Sequence, residues 1–354
     1  MILPLHRFFN IPVIIGLCLL AGCTRNLKPT PTQPAAGAQI QASTAPNDYA
    51  TRPEVKAFIE RVSKQDQLDP AWITSVLAGA QHRDDIIAAI TRPYESKPWY
   101  EYRSIFITDS RIAGGVQFWD THAATLANAE NTYQVPASMI VAIIGIESNY
   151  GKQRGGYRVL DALATLGFDY PSRATFFQNE LEQFLLVCHE RGLDPSMVMG
   201  SYAGAMGAPQ FMPDSYRQYA VDFDNDGKRD IWDDWTDIIG SVANFFHAHG
   251  WQPDALIAVP AAWQRTTPPT DLLAPSTVGA LRQEGVLLSK GVSDDQDAIL
   301  VGLQQPQDTD YWVGLHNFRV ITQYNKSALY AMAATELADR IAQARAAQDH
   351  NAPP

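Results

Sequence analysis

The segment Pro136–Gly151, PASMIVAIIGIESNYG, constrains the fold more than any other stretch of the chain. Pro136 suits a helix start and Gly151 a helix stop. Between them Ile140, Ile143, Ile144 and Glu147 fall at i, i+3, i+4 and i+7, so a carboxylate lies along the apolar face of a helix. A carboxyl among isoleucines loses hydration of its charged form, which raises its pKa and keeps a proton available near neutral pH. A general acid for a glycosidic oxygen has that requirement. Spacing alone leaves open two other readings: a Glu turned to the surface at a frayed helix end, and one locked in a buried ion pair.

The helical texture extends to both sides. Pro53 follows Arg52 at a first helical position, and Val55, Phe58, Ile59 and Val62 recur at helical spacing. Phe177, Leu181, Phe184, Leu185 and Cys188 share one face, and Ile238, Ile239, Val242, Phe245 and Phe246 another, with Gly192 and Gly250 placed as C-caps. After Trp251, short apolar runs between Pro and Gly signals predict strands at Ala255 to Val259, Ala298 to Leu303 and Phe318 to Thr322. Helix returns from Ser327, a plausible N-cap, to about Ala347. The expectation is a predominantly helical α+β protein: an N-terminal helical region over 51–130, a core over 131–250, a β-containing insertion over 251–316, a return to the core with a C-terminal helix over 317–347, and a tail over 348–354. With 46% hydrophobic and 18% charged residues, the chain has ample material for a large core.

The first residues read as an export signal over 1–22. His6 and Arg7 precede an apolar run from Ile11 to Leu20, which is short for a bilayer span. The run closes on Leu20, Ala21, Gly22 and Cys23, which resembles the bacterial lipoprotein processing box; acylated Cys23 would then hold the chain on a membrane, at about 0.8 kcal/mol per buried methylene. Cys188 is then the only thiol left in the mature chain, so no intramolecular disulfide is possible. Thr24 follows in place of the Asp associated with inner-membrane retention, which favours the periplasmic face of the outer membrane. From Thr24 to about Ala50 the chain is rich in Pro, Ala, Gln and Thr, and is read as a tether with a reach of about 80 Å.

The formal net charge is -11, from 27 Lys+Arg against 38 Asp+Glu, and no basic run occurs, so nucleic acid is excluded as a partner class. Nucleophile-elbow, zinc-protease, phosphate-loop and dinucleotide motifs are absent, and no catalytic cofactor is expected. Tyr150 and Tyr202 are loose candidates for stacking on sugar faces. A second constellation runs from Asp222 to Asp233, DFDNDGKRDIWD, and follows the EF-hand spacing. Asp222, Asp224, Asp226, Asp230 and Asp233 would supply carboxylates and Lys228 its carbonyl, while Gly227 permits the sharp turn. Asp233 stands where a longer Glu is usual, so a structural Ca2+ would bind weakly, at about 0.1 to 1 mM.

Glu147-Ser148-Asn149-Tyr150-Gly151 resembles the E-S-x-Y-G signature of the lytic transglycosylases. Ser201 to Pro213, SYAGAMGAPQFMP, is similar to their substrate-groove segment, and Asn317 to Ala331, NFRVITQYNKSALYA, to a late family segment. Together they resemble the membrane-bound lytic murein transglycosylase B family over about residues 53 to 345. The resemblance implies a lysozyme-like core, with Glu147 as the acid/base, Ser201 and Gln210 lining the saccharide site, and Tyr324 and Asn325 closing it. It also implies a monomer that cleaves peptidoglycan between N-acetylmuramic acid and N-acetylglucosamine, leaving a 1,6-anhydromuramoyl end, in wall turnover and remodelling. The residues themselves leave Ser201 open as a helix N-cap, and Tyr324 and Asn325 as a strand end and turn. Ala208-Pro209 departs from the family pattern, since Pro209 removes an N–H donor and fixes φ before Gln210. A hydrolytic muramidase and a non-catalytic wall-binding lipoprotein remain the competing readings.

Overall fold

The computed structural model describes residues 49–92 and 97–351, with side chains through 348. Cys23, the signal segment and the tether lie outside the described residues.

Helix α1 (Pro53–Asp66) starts with Pro53 at its first position and buries Val55, Phe58, Ile59 and Val62, the face read from the sequence. Helices α2 (Pro70–Ala78), α3 (Asp84–Ile90), α4 (Trp99–Phe106), α5 (Asp109–Thr121) and α6 (Ala123–Tyr133) follow and lead to α7 (Ala137–Ser148). In α7 every residue except Ser138 and Glu147 is buried. This helix packs against α5, α6, α11 (Trp235–Ala248) and α14 (Ala328–Asn351), so a central, well-held helix carries the half-buried carboxylate of Glu147.

Strand β1 (Tyr157–Arg158), α8 (Val159–Asp169), α9 (Ala174–Arg191), β2 (Met199–Gly200) and α10 (Pro213–Tyr219) come between α7 and α11. In α9 the face containing Phe177, Leu181, Phe184, Leu185 and Cys188 is buried, and burial pushes the Cys188 thiol up to about 12. Phe184 has no exposed surface. Replacing it with Ala removes a large apolar side chain and leaves a cavity, so Phe184→Ala is expected to lower unfolding stability by about 3–5 kcal/mol in urea titration. A loss under about 1 kcal/mol would mean that this site is not part of the cooperative core.

Beyond Trp251 lies a five-stranded antiparallel sheet made of β3 (Ala258–Trp263), β4 (Ser276–Thr277), β5 (Val286–Leu288), β6 (Asp297–Gln304) and β7 (Thr309–Gly314), in the order β4-β6-β7-β3-β5. A short helix, α12 (Val278–Gln283), lies between β4 and β5. Strand β6 is covered on both faces. Ala298 and Leu300 join a small core with Val259, Val278, Leu281 and Val313, whereas Ile299, Val301 and Leu303 enter the main core. The two-sided cover explains why Ala298 to Leu303 reads as a continuous apolar run and not as an alternating one.

The expected strand over Phe318 to Thr322 is corrected: these residues lie in helix α13 (His316–Tyr324), which buries Asn317, Phe318, Val320 and Ile321. A short apolar run carries no periodicity that separates a strand from one buried helical face, and tertiary packing decides. Ser327 accepts from Tyr330 N at 3.3 Å at the start of α14, as an N-cap does.

Candidate active site

Helix α7 ends at Ser148, earlier than the stop expected at Gly151. Asn149, Tyr150 and Gly151 then have φ of 49°, 58° and 82°, a run of left-handed residues. Such backbone costs a non-glycine residue about 1–3 kcal/mol and persists only where surroundings hold it. Tyr150 is held: its hydroxyl donates to Arg111 O at 2.7 Å, and its ring stacks on Phe118 with centroids 5.6 Å apart. A Cβ at Gly151 would lie 2.8 Å from the Trp235 ring, so the chain can pass there only as glycine. Tyr150 is 8% exposed. Its candidacy as a sugar-stacking ring is therefore corrected: it anchors the turn after Glu147 from behind.

Glu147, on the last turn of α7, is half-buried. The Tyr330 hydroxyl donates to its Oε1 at 2.5 Å. Tyr330 projects from the start of α14 and is 2% exposed; burial, with the charge of Glu147 second, pushes its phenol well above the ordinary range. It therefore remains a proton donor toward the carboxylate. The Tyr324 ring lies nearly parallel to it, 6.5 Å away and tilted by 10°, and donates its hydroxyl to Pro209 O at 2.7 Å. Two neutral phenols thus link the Glu147 carboxylate to the 201–213 segment. No local pattern marks Tyr330 within NKSALYA; the only signal is its place inside the late segment.

Ser201 begins no helix. Its Oγ accepts from Ala203 N at 3.2 Å and Ala205 N at 3.1 Å, and its N donates to Ala205 O at 2.9 Å, which closes a tight turn. Tyr202 is the half-buried next residue. Gln210 has φ 52°, and its Nε2 donates to Gly207 O at 2.8 Å and to Arg154 O at 3.2 Å. Pro209 is buried, and the hydrogen bond it makes uses its carbonyl, so the N–H it lacks leaves Tyr324 O–H satisfied. Asn325, half-buried, caps the C-terminus of α13 in extended backbone. Tyr324 and Asn325 are thus a helix end, and not the strand end that the residues alone had left open.

The acidic loop closes differently from its sequence spacing. Oxygens of Asp222, Asp224 and Asp237 all lie within 4.8 Å of one another. Asp233, expected as the final ligand, is 86% exposed at its side chain and sits 3.3 Å from Arg154 Nη1. The spacing count misses because Asp230 Oδ1 accepts from Trp232 N and Asp233 N, at 2.8 and 2.9 Å, and this turn adds length before α11. Asp234 then caps α11, and Asp237 reaches back from its first turn. Asp237 is 1% exposed; its oxygens accept from Phe223 N and Asp230 N, both at 2.7 Å. Burial, joined by the charges of Asp234 and Asp224, pushes its carboxyl up. Asp222 accepts from Asp226 N and Gly227 N, and Asp226 accepts from Lys228 N at 2.8 Å, so the loop is wound around converging carboxylates. Hard oxygen donors with unbalanced negative charge suit a divalent cation such as Ca2+.

A family model described as the transglycosylase SLT domain matches residues 50–339. The chain is 38% identical over 346 residues to the membrane-bound lytic murein transglycosylase B of Escherichia coli (strain K12), across 92% of this chain and 96% of that protein. The crystal structure of catenated lytic transglycosylase SltB1 from Pseudomonas aeruginosa superposes with a TM-score of 0.80 at 46% identity, covering 84% of this chain and 100% of that one. Escherichia coli lytic transglycosylase Slt35, solved in complex with calcium, superposes with a TM-score of 0.78 at 39% identity, covering 87% and 98%. Among the described residues no helix is long and apolar enough to cross a membrane.

Proposed function

Because the chain belongs to the SLT-domain transglycosylase family, with its lysozyme-like fold, and is a lytic transglycosylase of peptidoglycan, we propose that Glu147 is its single acid/base. The observation that carries this reading is the Tyr330 hydroxyl on the Glu147 carboxylate, joined through Tyr324 to the groove segment. Ordinary glycosidases divide the work between two carboxylates. Here one carboxyl serves both steps. Protonated Glu147 gives its proton to the oxygen linking N-acetylmuramic acid to N-acetylglucosamine, and the bond from that oxygen to the muramoyl C1 breaks. The resulting carboxylate takes the proton of the sugar's own C6 hydroxyl while O6 bonds to C1. The product is a 1,6-anhydromuramoyl end, no water is consumed, and Glu147 is again protonated. The Tyr330 hydrogen bond orients the carboxylate and stabilises its charged form between the steps.

Ser201, Tyr202 and Gln210 line the saccharide groove and Tyr324 and Asn325 close it, with Ser201 acting through the turn that its hydroxyl shapes. Asp222, Asp224, Asp226 and Asp237, with the Lys228 carbonyl, would hold Ca2+, which would supply only charge neutralisation and loop order. The groove and the acidic loop belong to a core over 131–250, to which 317–347 returns. Acylated Cys23 and the tether place this monomeric enzyme at the periplasmic face of the outer membrane, for turnover and remodelling of the wall. Digestion of purified sacculi is expected to release muropeptides whose mass is one water below that of the reducing-end forms. Reducing ends as the main product would make the enzyme a hydrolytic muramidase, and binding without release would make it a wall-binding protein.

A further inference from the structure

Arg154 stands where three parts of the site meet. Its Nε donates to Gly151 O at 3.1 Å, in the turn after the Glu147 helix. Its Nη1 donates to Trp232 O and lies 3.3 Å from Asp233 Oδ1, both on the acidic loop. The guanidinium lies 5.8 Å from the centroid of the Trp235 ring. The carbonyl of the same residue accepts from Gln210 Nε2 at 3.2 Å, in the saccharide segment.

A second link runs beside it. Ala208 N donates to Ile231 O at 3.0 Å. Gly207, with φ 68°, admits this approach, since a Cβ there would lie 2.4 Å from Ile231 O. Residues 231–233 of the acidic loop therefore touch both Arg154 and the stretch that ends in Gln210. Gln210 itself has left-handed backbone, which a non-glycine residue keeps only where its contacts hold it, and two of those contacts are Gly207 O and Arg154 O.

We infer that Arg154 is a positioning residue that couples the order of the acidic loop to glycan binding in the groove. The inference rests on the saccharide and calcium readings above and adds the route between them. The loop divides its acids: Asp237 turns to the Asp222–Asp224 cluster, and Asp233 to Arg154. Whatever fixes the cluster fixes Trp232 O and Asp233, which set the guanidinium; the guanidinium in turn sets Gly151 O and, through its own backbone, the Gln210 amide. A lysine cannot replace it, because a point charge lacks the fixed fork that reaches two carbonyls and a carboxylate at once. Coupling of this kind is reciprocal, so glycan also tightens calcium.

The test is calorimetric titration of the purified full chain in detergent, in the Glu147→Gln background, with tri-N-acetylchitotriose and with CaCl2, each in the presence and absence of the other. Saturating calcium is expected to tighten chitotriose by about tenfold. Arg154→Ala is expected to weaken chitotriose by about tenfold and to abolish the calcium effect, while calcium still binds in the absence of glycan as it does to the parent. Arg154→Lys recovers only a minor part. Should Arg154→Ala fail to fold, Asp233→Asn removes the exposed ion pair alone and is expected to reduce the calcium effect. Arg154→Ala or Asp233→Asn with the parent's full calcium effect would overturn the inference, and so would a parent that binds chitotriose with equal affinity at every calcium concentration. A parent that binds no chitotriose at all fails the groove reading instead.

Discussion

Glu147→Gln is expected to slow release of muropeptides from sacculi by at least about 10³-fold, within or beyond the range that general acid–base catalysis supplies. Gln keeps the shape of Glu and an oxygen that can accept from Tyr330, so the fold and the groove survive, and the melting temperature stays near that of the parent. What it loses is the proton for the first step and the base for the second. Tyr330→Phe provides the graded comparison. It removes a hydrogen bond to a charged group, about 1.5–3 kcal/mol, and should cost roughly 10- to 100-fold in rate with substrate affinity little changed. The measurement is initial release from labelled sacculi, with products counted by mass. If Glu147→Gln retains activity within tenfold of the parent, another group carries the proton and the single-acid mechanism is lost. If Tyr330→Phe is as active as the parent, the 2.5 Å contact is packing and not orientation.

The parts of this architecture that could be read from sequence are those in which one local pattern is sufficient. The buried faces of α1, α9 and α11 follow helical spacing, and Pro53 and Ser327 start their helices by local chemistry. The apolar run of α7 is equally local, and its carboxylate emerges beside a phenol that no pattern marked. Other features depended on long-range contacts. Tyr330 meets Glu147 across 183 positions, and such a contact leaves no periodic trace. Residues Phe318 to Thr322 look like a buried strand until Asn317 and Ile321 are seen to share the covered face of α13. Tyr150 stands in a signature next to Glu147, which suggested contact with sugar, yet the left-handed turn directs its ring into the α5–α7 packing. The common reason is physical: propensity and periodicity set elements, whereas a side chain's role follows from what the rest of the chain brings to it.

The acidic loop gives the second large prediction, because two candidate closing acids lie close in sequence and only one faces the cluster. For a dissociation constant of about 0.1 to 1 mM, 10 mM CaCl2 should stabilise the parent by about 1.4–2.7 kcal/mol, since mass action favours whichever state binds the ion. Asp237→Asn is expected to erase that gain. It removes one of three converging charges and turns an acceptor of the Phe223 and Asp230 amides into a partial donor, so stability without calcium falls as well, by about 1–3 kcal/mol. Asp233→Asn should leave the calcium-induced gain intact, because its carboxylate faces solvent and Arg154. Thermal unfolding of the parent and both variants, with calcium and with chelator, separates these outcomes. A calcium gain lost in Asp233→Asn and kept in Asp237→Asn would restore the closing acid that simple spacing suggests, and would mean that the loop rewinds around the ion. A parent indifferent to calcium would leave the loop as a hydrogen-bonded turn whose buried Asp237 serves the amides of Phe223 and Asp230 alone.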